Sequence, residues 1–434
     1  STKTATGNSR AKSSSVRVRS NFGRNLSIMK TILILTALLL GPLAALQAAD
    51  TSSLHAAASS SLPSFSWDRV PQFMIVRKRT AFTDDEIRLL AAAPIVVFEK
   101  NNGYEDAGCV EDGVLAAAKA LKAVNPDVIT IFYWNAVIEY GNYRANRVFD
   151  QHADTWALKR DEKPVLFKDS PYRIYDQTVR GFQDWWIGTA TGMAAHPEID
   201  GIFIDAICKF NTLDDGRVPL YPDQRYGEAY VATATRLKRE LGAKLLVGNA
   251  IRVCAPQANL PHLEYLDGSF IERWAVPPKG TTYEQYVADG MTAMTQALAQ
   301  GKLILFKAGP ECLQMEWRQT FDRLTYSEQE RWMREHIQFP LAVFLMVVEP
   351  GAYFHWGSGP SANPGKSREV WRNDIYEELQ RPLGKPLGPS IKDGFLYTRD
   401  FEHASVSLNL TKREGHITWN TSSPQVKEDR KAKK

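Results

Sequence analysis

Two acids stand where apolar runs end: Asp205 directly after GIFI (201–204) and Glu272 directly after GSFI (268–271). An ionised carboxylate is costly to bury unless a firm partner or a ligand pocket receives it. Each acid is therefore either paired or poised for chemistry. Two carboxylates facing one pocket are the equipment for breaking a glycosidic bond, one protonating the leaving oxygen while the other attacks the anomeric carbon or activates water. In this reading Glu272 is the general acid and Asp205 the nucleophile or base. The competing readings are structural: a salt bridge of Glu272 with Arg273 or Arg252, and an Asp205 that caps its loop or pairs with Lys209. Glu99 and Asp169 are the reserve carboxylates.

The elements that position these acids read as alternating short apolar runs and amphipathic segments of helical length, the βαβ pattern of a parallel sheet. The runs are 95–100, 128–134, 164–169, 201–207, 244–249, 268–274, 302–308 and 351–357, which makes eight strands. Apolar spacing of three and four residues places helices at 111–124, 178–195, 223–241, 282–300 and 326–347. Eight such strands, rich in Val, Ile, Leu and Phe and with no Gly-rich phosphate turn after the first, fit an α/β fold of the (β/α)8 TIM-barrel type rather than a doubly wound open sheet. A helix-like stretch (369–380) and β-hairpins to about residue 420 then form a small C-terminal β extension.

In such barrels function gathers at the C-terminal ends of the strands. The polar and aromatic residues closing the runs are the candidate sugar-binding set: Glu99, Tyr133, Trp134, Asn135, Lys168, Asp169, Asn249, Arg252, Trp274, Lys307, His355 and Trp356. Tyr104 and Tyr353 lie nearby in sequence. Flat aromatic faces would stack on sugar rings, and the amide, Lys and His groups would bind hydroxyls or hold the carboxylates. A divalent-metal site from Glu99, Asp169, Asp205 and Glu272 would have suitable oxygen ligands, but no loop pattern supports it, so neither a metal nor a cofactor is called for. No GxSxG, HExxH or Walker-type motif occurs.

The chain has 434 residues, 44% apolar and 24% charged, enough to bury a sizeable core. Residues 29–49 read as a secretory signal peptide, its apolar run broken by Gly41-Pro42 and so too short for a stable membrane span. That implies a secreted or periplasmic protein. Residues 1–28, ahead of Met29, are a doubtful upstream segment; residues 50–65 read as a flexible leader, 66–380 as the barrel, 381–420 as the β segment and 421–434 as a charged tail. Residues 1–48 hold seven Lys/Arg and no acid, so the formal charge of +4 becomes −3 without them. No basic stripe remains to suggest nucleic acid as a partner. The four cysteines, Cys109, Cys208, Cys254 and Cys312, show no CxxC spacing; one or two disulfides would suit an oxidising compartment, with Cys208 a plain core thiol.

DGIFIDAI (200–207), DGSFIERW (267–274) and the closing LGKPLGPS with GFLYTRDFEHASVSLN (383–409) carry a resemblance. Over most of residues 90–420 the chain resembles the glycosyl-hydrolase-like barrels of bacteria, relatives of the endo-α-1,4-polygalactosaminidase-like group. The resemblance implies a (β/α)8 fold, glycosidic-bond hydrolysis and a carbohydrate substrate, with the strand-four Asp carried over to Asp205 and the strand-six Glu to Glu272. Two rivals remain: a non-catalytic carbohydrate-binding barrel, and a metal-dependent hydrolase or lyase on the same fold.

Overall fold

Apolar runs too short for helices become strands, and their alternation decides which side chains enter the barrel. The computed structural model describes residues 62–63, 65–168, 170–210, 220–313, 320–363 and 369–420. The signal-peptide reading, residues 1–28, most of the leader, Asp169 and the charged tail lie outside these. Eight parallel strands form one sheet in chain order: β1 (Met74–Val76), β2 (Ile95–Phe98), β3 (Ile129–Asn135), β4 (Gly201–Asp205), β5 (Leu245–Gly248), β6 (Gly268–Ile271), β7 (Leu303–Ala308) and β8 (Ala352–Trp356). The Phe73 N–H donates to Phe354 O and the Phe354 N–H to Pro71 O, which brings the last strand back to the first. This is the expected (β/α)8 barrel.

Two strand assignments need correction. The first barrel strand is Met74–Val76, so the run at 95–98 is the second. The run expected at 164–169 is not in the barrel. Residues 159–160 and 163–164 pair antiparallel across Asp161 and Glu162, both at positive φ, and Leu166 pairs with Arg173. Pro164 has no N–H for a ladder, which suits an edge and not a central strand. The two differences cancel in the count, so Asp205 still ends β4 and Glu272 still directly follows β6.

Among the described residues the longer helices between strands are α1 (Asp84–Ala91), α2 (Val110–Val124), α3 (Asn146–Trp156), α4 (Arg180–Ala194), α5 (Arg225–Leu241), α6 (Tyr283–Ala299), α7 (Tyr326–Glu335) and α8 (Gln338–Val347). The single helix expected at 326–347 is two, because Pro340 cannot donate to the carbonyl four residues back and its ring crowds it. The segment 369–380 is mostly irregular, with one 3₁₀ turn at Glu377–Leu379. A four-stranded antiparallel meander ends the fold: β9 (Ile391–Asp393), β10 (Leu396–Asp400), β11 (Ala404–Asn409) and β12 (Glu414–Trp419). It docks on α8, whose C-terminal carbonyls Leu345, Met346 and Val348 accept from Arg399 Nη1 at 3.2, 3.4 and 2.9 Å.

Inside the barrel the inward residues stack in layers. Gly201, Phe203 and Asp205 alternate on β4, Leu245, Val247 and Asn249 on β5, Gly268, Phe270 and Glu272 on β6, and Leu303, Leu305 and Lys307 on β7. The lower layers are apolar and only the uppermost inward position is polar. Glycine at 268 makes room for the neighbouring strand, since a Cβ there would lie 2.3 Å from Leu303 O and 2.5 Å from Leu303 Cβ. Gly268→Ala is expected to cost about 3 kcal/mol through overpacking and to lower Tm by roughly 5 °C. Thermal unfolding followed by circular dichroism checks this; an unchanged Tm would mean that β6 and β7 spread freely.

Candidate active site

The upper polar layer opens into a cavity of about 690 Å³ lined by Glu99, Lys100, Tyr133, Asp205, Asn249, Glu272, Arg273, Lys307 and Glu311, with Ile75, Phe203 and Phe270 as its floor and Asp322, Ser358, Gly359 and Glu369 among its rim. Asp205 and Glu272 thus share one pocket. The residue after each is held in the left-handed region, Ala206 at φ 71° and Arg273 at φ 55°, a conformation that costs a non-glycine residue about 1 kcal/mol or more and clusters at functional sites. The turn at Ala206 aims its N–H back at Asp205 Oδ1, 2.7 Å away.

Asn249 ties the two acids together. Its Nδ2 donates to Asp205 Oδ1 at 3.1 Å and to Glu272 Oε1 at 3.2 Å. Asp205 Oδ2 accepts from Tyr133 Oη at 2.6 Å. Glu272 Oε1 also accepts from Arg252 Nη2 at 2.7 Å, and Arg252 Nη1 donates to the Glu272 carbonyl at 3.0 Å. The ion pair that competed with chemistry as an explanation for Glu272 is therefore present, in a side chain still 34% exposed. Burial would raise the Glu272 carboxyl, but Arg252 first, then Lys307 and the Asn249 amide, bring its pKa down to about 2. With these partners Glu272 is an anion, which fits a base and works against its expected role as an acid.

Cations balance this wall. Lys307 lies in a 2.6 Å ion pair with Glu311; burial disfavours its charge, but Glu311 and Glu272 outweigh that and hold its pKa above the ordinary value. Lys100 pairs with Glu99 and lies 5.2 Å from the Tyr133 ring centroid and 5.0 Å from that of Tyr140. Glu99 also faces Arg77 at 3.1 Å. Burial, and then Asp205, push the Tyr133 hydroxyl well above its usual pKa, so it keeps its proton as a donor.

Seven of the expected residues take other places, and one of them, Asn135, is buried against Tyr133 and the backbone of Val137 and Ile138 without lining the cavity. Trp134, Trp274 and Trp356 do not line the cavity. Their indole N–H groups donate to Trp186 O, Lys307 O and Met333 O, and their rings pack in the core outside the barrel. For Trp134 and Trp356 the reason is strand parity, since neighbours of an inward residue point outward; for Trp274 it is the left-handed Arg273, which ends the alternation. His355 points inward on β8, in register with Lys307, but is fully buried beside Phe73 and does not line the cavity; burial and then Lys307 bring its pKa down to about 3, so it is neutral. Lys168 is exposed on the hairpin that replaces the expected strand, over the Phe167 ring. Arg252 stands behind Glu272 and is not among the lining residues. Of the nearby tyrosines, Tyr104 bonds Arg79 and Tyr353 lies in the barrel interior away from the cavity.

Lys100, Glu311, Asp322 and Glu369 line the cavity without being expected there, because they come from loops, where no periodicity marks direction; Arg273, expected only as an ion-pair partner of Glu272, lines it too. Only Glu311 had a local signal, four residues beyond Lys307 across Gly309-Pro310. Among the described residues no group of three or more His, Cys, Asp or Glu side chains is arranged to hold a metal, and no helix is long and apolar enough to cross a membrane. The four cysteines are unpaired, Cys208 half-buried and not in the core.

Comparison with known proteins adds a family match: the model described as hypothetical glycosyl hydrolase family 15 covers residues 122–405. No curated protein matches. Among solved structures, the chain aligns with an α-galactosidase from Thermus thermophilus in complex with p-nitrophenyl α-D-galactopyranoside at 14% identity and TM-score 0.43, over 83% of this chain and 70% of that one. It aligns with α-L-fucosidase isoenzyme 2 from Paenibacillus thiaminolyticus at 13% identity and TM-score 0.46, over 71% of this chain and 48%, about half, of the fucosidase. A third is Aspergillus fumigatus Ega3 complexed with galactosamine, at 14% identity and TM-score 0.35, over 58% of this chain and 82% of that one.

Proposed function

The chain belongs to hypothetical glycosyl hydrolase family 15, and on that footing we propose that it is an exported hydrolase of glycosidic bonds in a poly- or oligosaccharide, with Asp205 as nucleophile and Glu272 as acid–base. Export rests on the residue pattern at 29–49. The observation that carries the catalytic assignment is the single Asn249 amide nitrogen bonded to both acids. Bonds of 3.1 and 3.2 Å opening at about 120° put the two oxygens roughly 5.5 Å apart, and even in line at most about 6.3 Å. Retaining glycosidases hold their carboxyls about 5–5.5 Å apart, whereas inverting ones leave ~6.5–9.5 Å for a water.

The sequence of steps follows. The Asp205 carboxylate attacks the anomeric carbon as its bond to the leaving oxygen breaks, and a proton on Glu272 passes to that oxygen. Glu272, now an anion, takes a proton from water, whose oxygen attacks the anomeric carbon and releases Asp205. Arg252 and Lys307 stabilise the anionic form of Glu272, while Tyr133, Ala206 N–H and Asn249 bind the Asp205 charge. The three tryptophans expected as stacking faces turn away from the cavity, whose aromatic lining is Tyr133, Phe203 and Phe270.

The test is a screen of neutral, acidic and amino polysaccharides for reducing-end release, followed by NMR of the first product anomer on the best substrate. Release with retained anomeric configuration is expected. Inverted product would remove the nucleophile role from Asp205, and binding without release from any polymer would favour the non-catalytic barrel.

A further inference from the structure

Tyr133 and Asn135 lie on β3 at the inward-facing parity, and their polar atoms are held by other groups of the protein. Val137 N–H and Ile138 N–H both donate to Asn135 Oδ1, at 2.8 and 2.7 Å. Backbone N–H groups cannot reverse their role, so these two bonds fix which end of the Asn135 amide is oxygen. The other end, Nδ2, must then face Tyr133 Oη, and it does so at 2.9 Å. A phenol has one proton to give. With its lone pair engaged by Asn135, that proton goes to Asp205 Oδ2 at 2.6 Å, in the short range of an O–H···O⁻ bond to a charged acceptor. Asp205 Oδ1 meets only donors as well, the Ala206 N–H and the Asn249 amide.

We infer that Tyr133 and Asn135 form a one-way donor chain, anchored in the backbone at residues 137–138, that keeps Asp205 an acceptor and hence ready to attack; they are positioning residues for the nucleophile and not sugar ligands. The inference rests on the proposed role of Asp205. A proton on Asp205 would point at a donor whichever oxygen carried it. Both positioning side chains are nearly inaccessible, Tyr133 2% and Asn135 3% exposed, so water has little opening to replace a lost link. The direction of the chain depends on one chemical difference, an amide at 135 in place of a carboxylate.

Asn135→Asp isolates that difference. The oxygen facing Val137 and Ile138 is kept, so the turn is kept, but the atom facing Tyr133 changes from donor to acceptor and competes with Asp205 for the single phenol proton. Infrared difference spectra, each protein minus the same protein carrying Asp205→Asn, read the state of Asp205 without any substrate. At pH 6 the wild type is expected to show a carboxylate stretch alone. Tyr133→Phe shifts that stretch as the short bond is lost, and Asn135→Asp brings in a carboxylic-acid carbonyl band. On the substrate found by the screen, Asn135→Asp lowers kcat at least about tenfold with KM within about threefold. A carboxylic-acid band already in the wild type, or an Asn135→Asp spectrum indistinguishable from it, overturns the inference. Failure of every polymer to release sugar would sink the glycosidase reading and leave the spectroscopic result standing.

Discussion

Asp205→Asn is expected to lower kcat/KM by about 10⁴-fold or more, roughly 5.5 kcal/mol of transition-state stabilisation, while the protein stays folded. The substitution keeps the volume and one acceptor oxygen, so the Ala206 N–H and the Asn249 amide retain a partner. What is lost is the charge that attacks. The introduced amide donates where Oδ2 accepted, and the Tyr133 hydroxyl then faces donors from both sides. That mismatch costs about 1–2 kcal/mol of stability, visible as a Tm a few degrees lower. Initial rates on the screened substrate together with a thermal melt separate the two effects. A variant that keeps a tenth of the wild-type rate with an unchanged melt would show that Asp205 does not attack, and the nucleophile would then be sought at Glu272.

The acids were legible in the sequence because their position is set by period two. On β4 and β6 the apolar inward residues Phe203 and Phe270 lie two residues before Asp205 and Glu272, and the same step from Val97, Tyr133, Val247 and Leu305 leads to Glu99, Asn135, Asn249 and Lys307. All six belong to the upper polar layer. The same rule excludes Trp134 and Trp356, which lie at the opposite parity; residue type points to them, and parity overrides it. Trp274 escapes the rule because the backbone reverses at Arg273, and nothing in the residues marks an arginine for positive φ. β1 was overlooked since only Met74–Val76 pair with β2, too short a stretch for alternation to register, whereas Val165-Leu166-Phe167 imitates a strand but folds back on itself. The loop residues Lys100, Asp322 and Glu369 reach the cavity through tertiary placement alone. Roles were least legible: the sequence offers Glu272 both as a proton donor and as the ion-pair partner of Arg273 or Arg252, and only the structure brings Arg252 onto its carboxylate while leaving that carboxylate in the cavity wall.

Arg252→Gln should move the alkaline limb of kcat/KM upward by about two pH units. Glu272 has its pKa lowered from an ordinary 4.5 to about 2, with burial acting against that shift and Arg252 the largest group acting for it. The pH dependence of kcat/KM reports the free enzyme, so an acid that must start protonated is fully available only below about 2, and above this the rate falls roughly tenfold per unit. On the proposed acid–base role of Glu272, the wild type is therefore expected to work best in acid. Without the guanidinium, burial alone acts on the carboxyl, and the protonated form persists into mildly acid solution. Stability changes with the opposite sign. A carboxyl with a depressed pKa contributes its stabilisation above about 4.5 and loses it as the pH falls towards 2, so the variant should be less stable than the wild type at pH 7 by about 1–3 kcal/mol, discounted for the partial exposure of Glu272. The gap in Tm between the two proteins should narrow as the pH approaches 2–3. pH–rate profiles and melts at both pH values test the pair of expectations together. If the acid limb rises and the alkaline limb stays where it was, Glu272 works as the anion that attacks, and the proton must come from another carboxyl of the cavity wall.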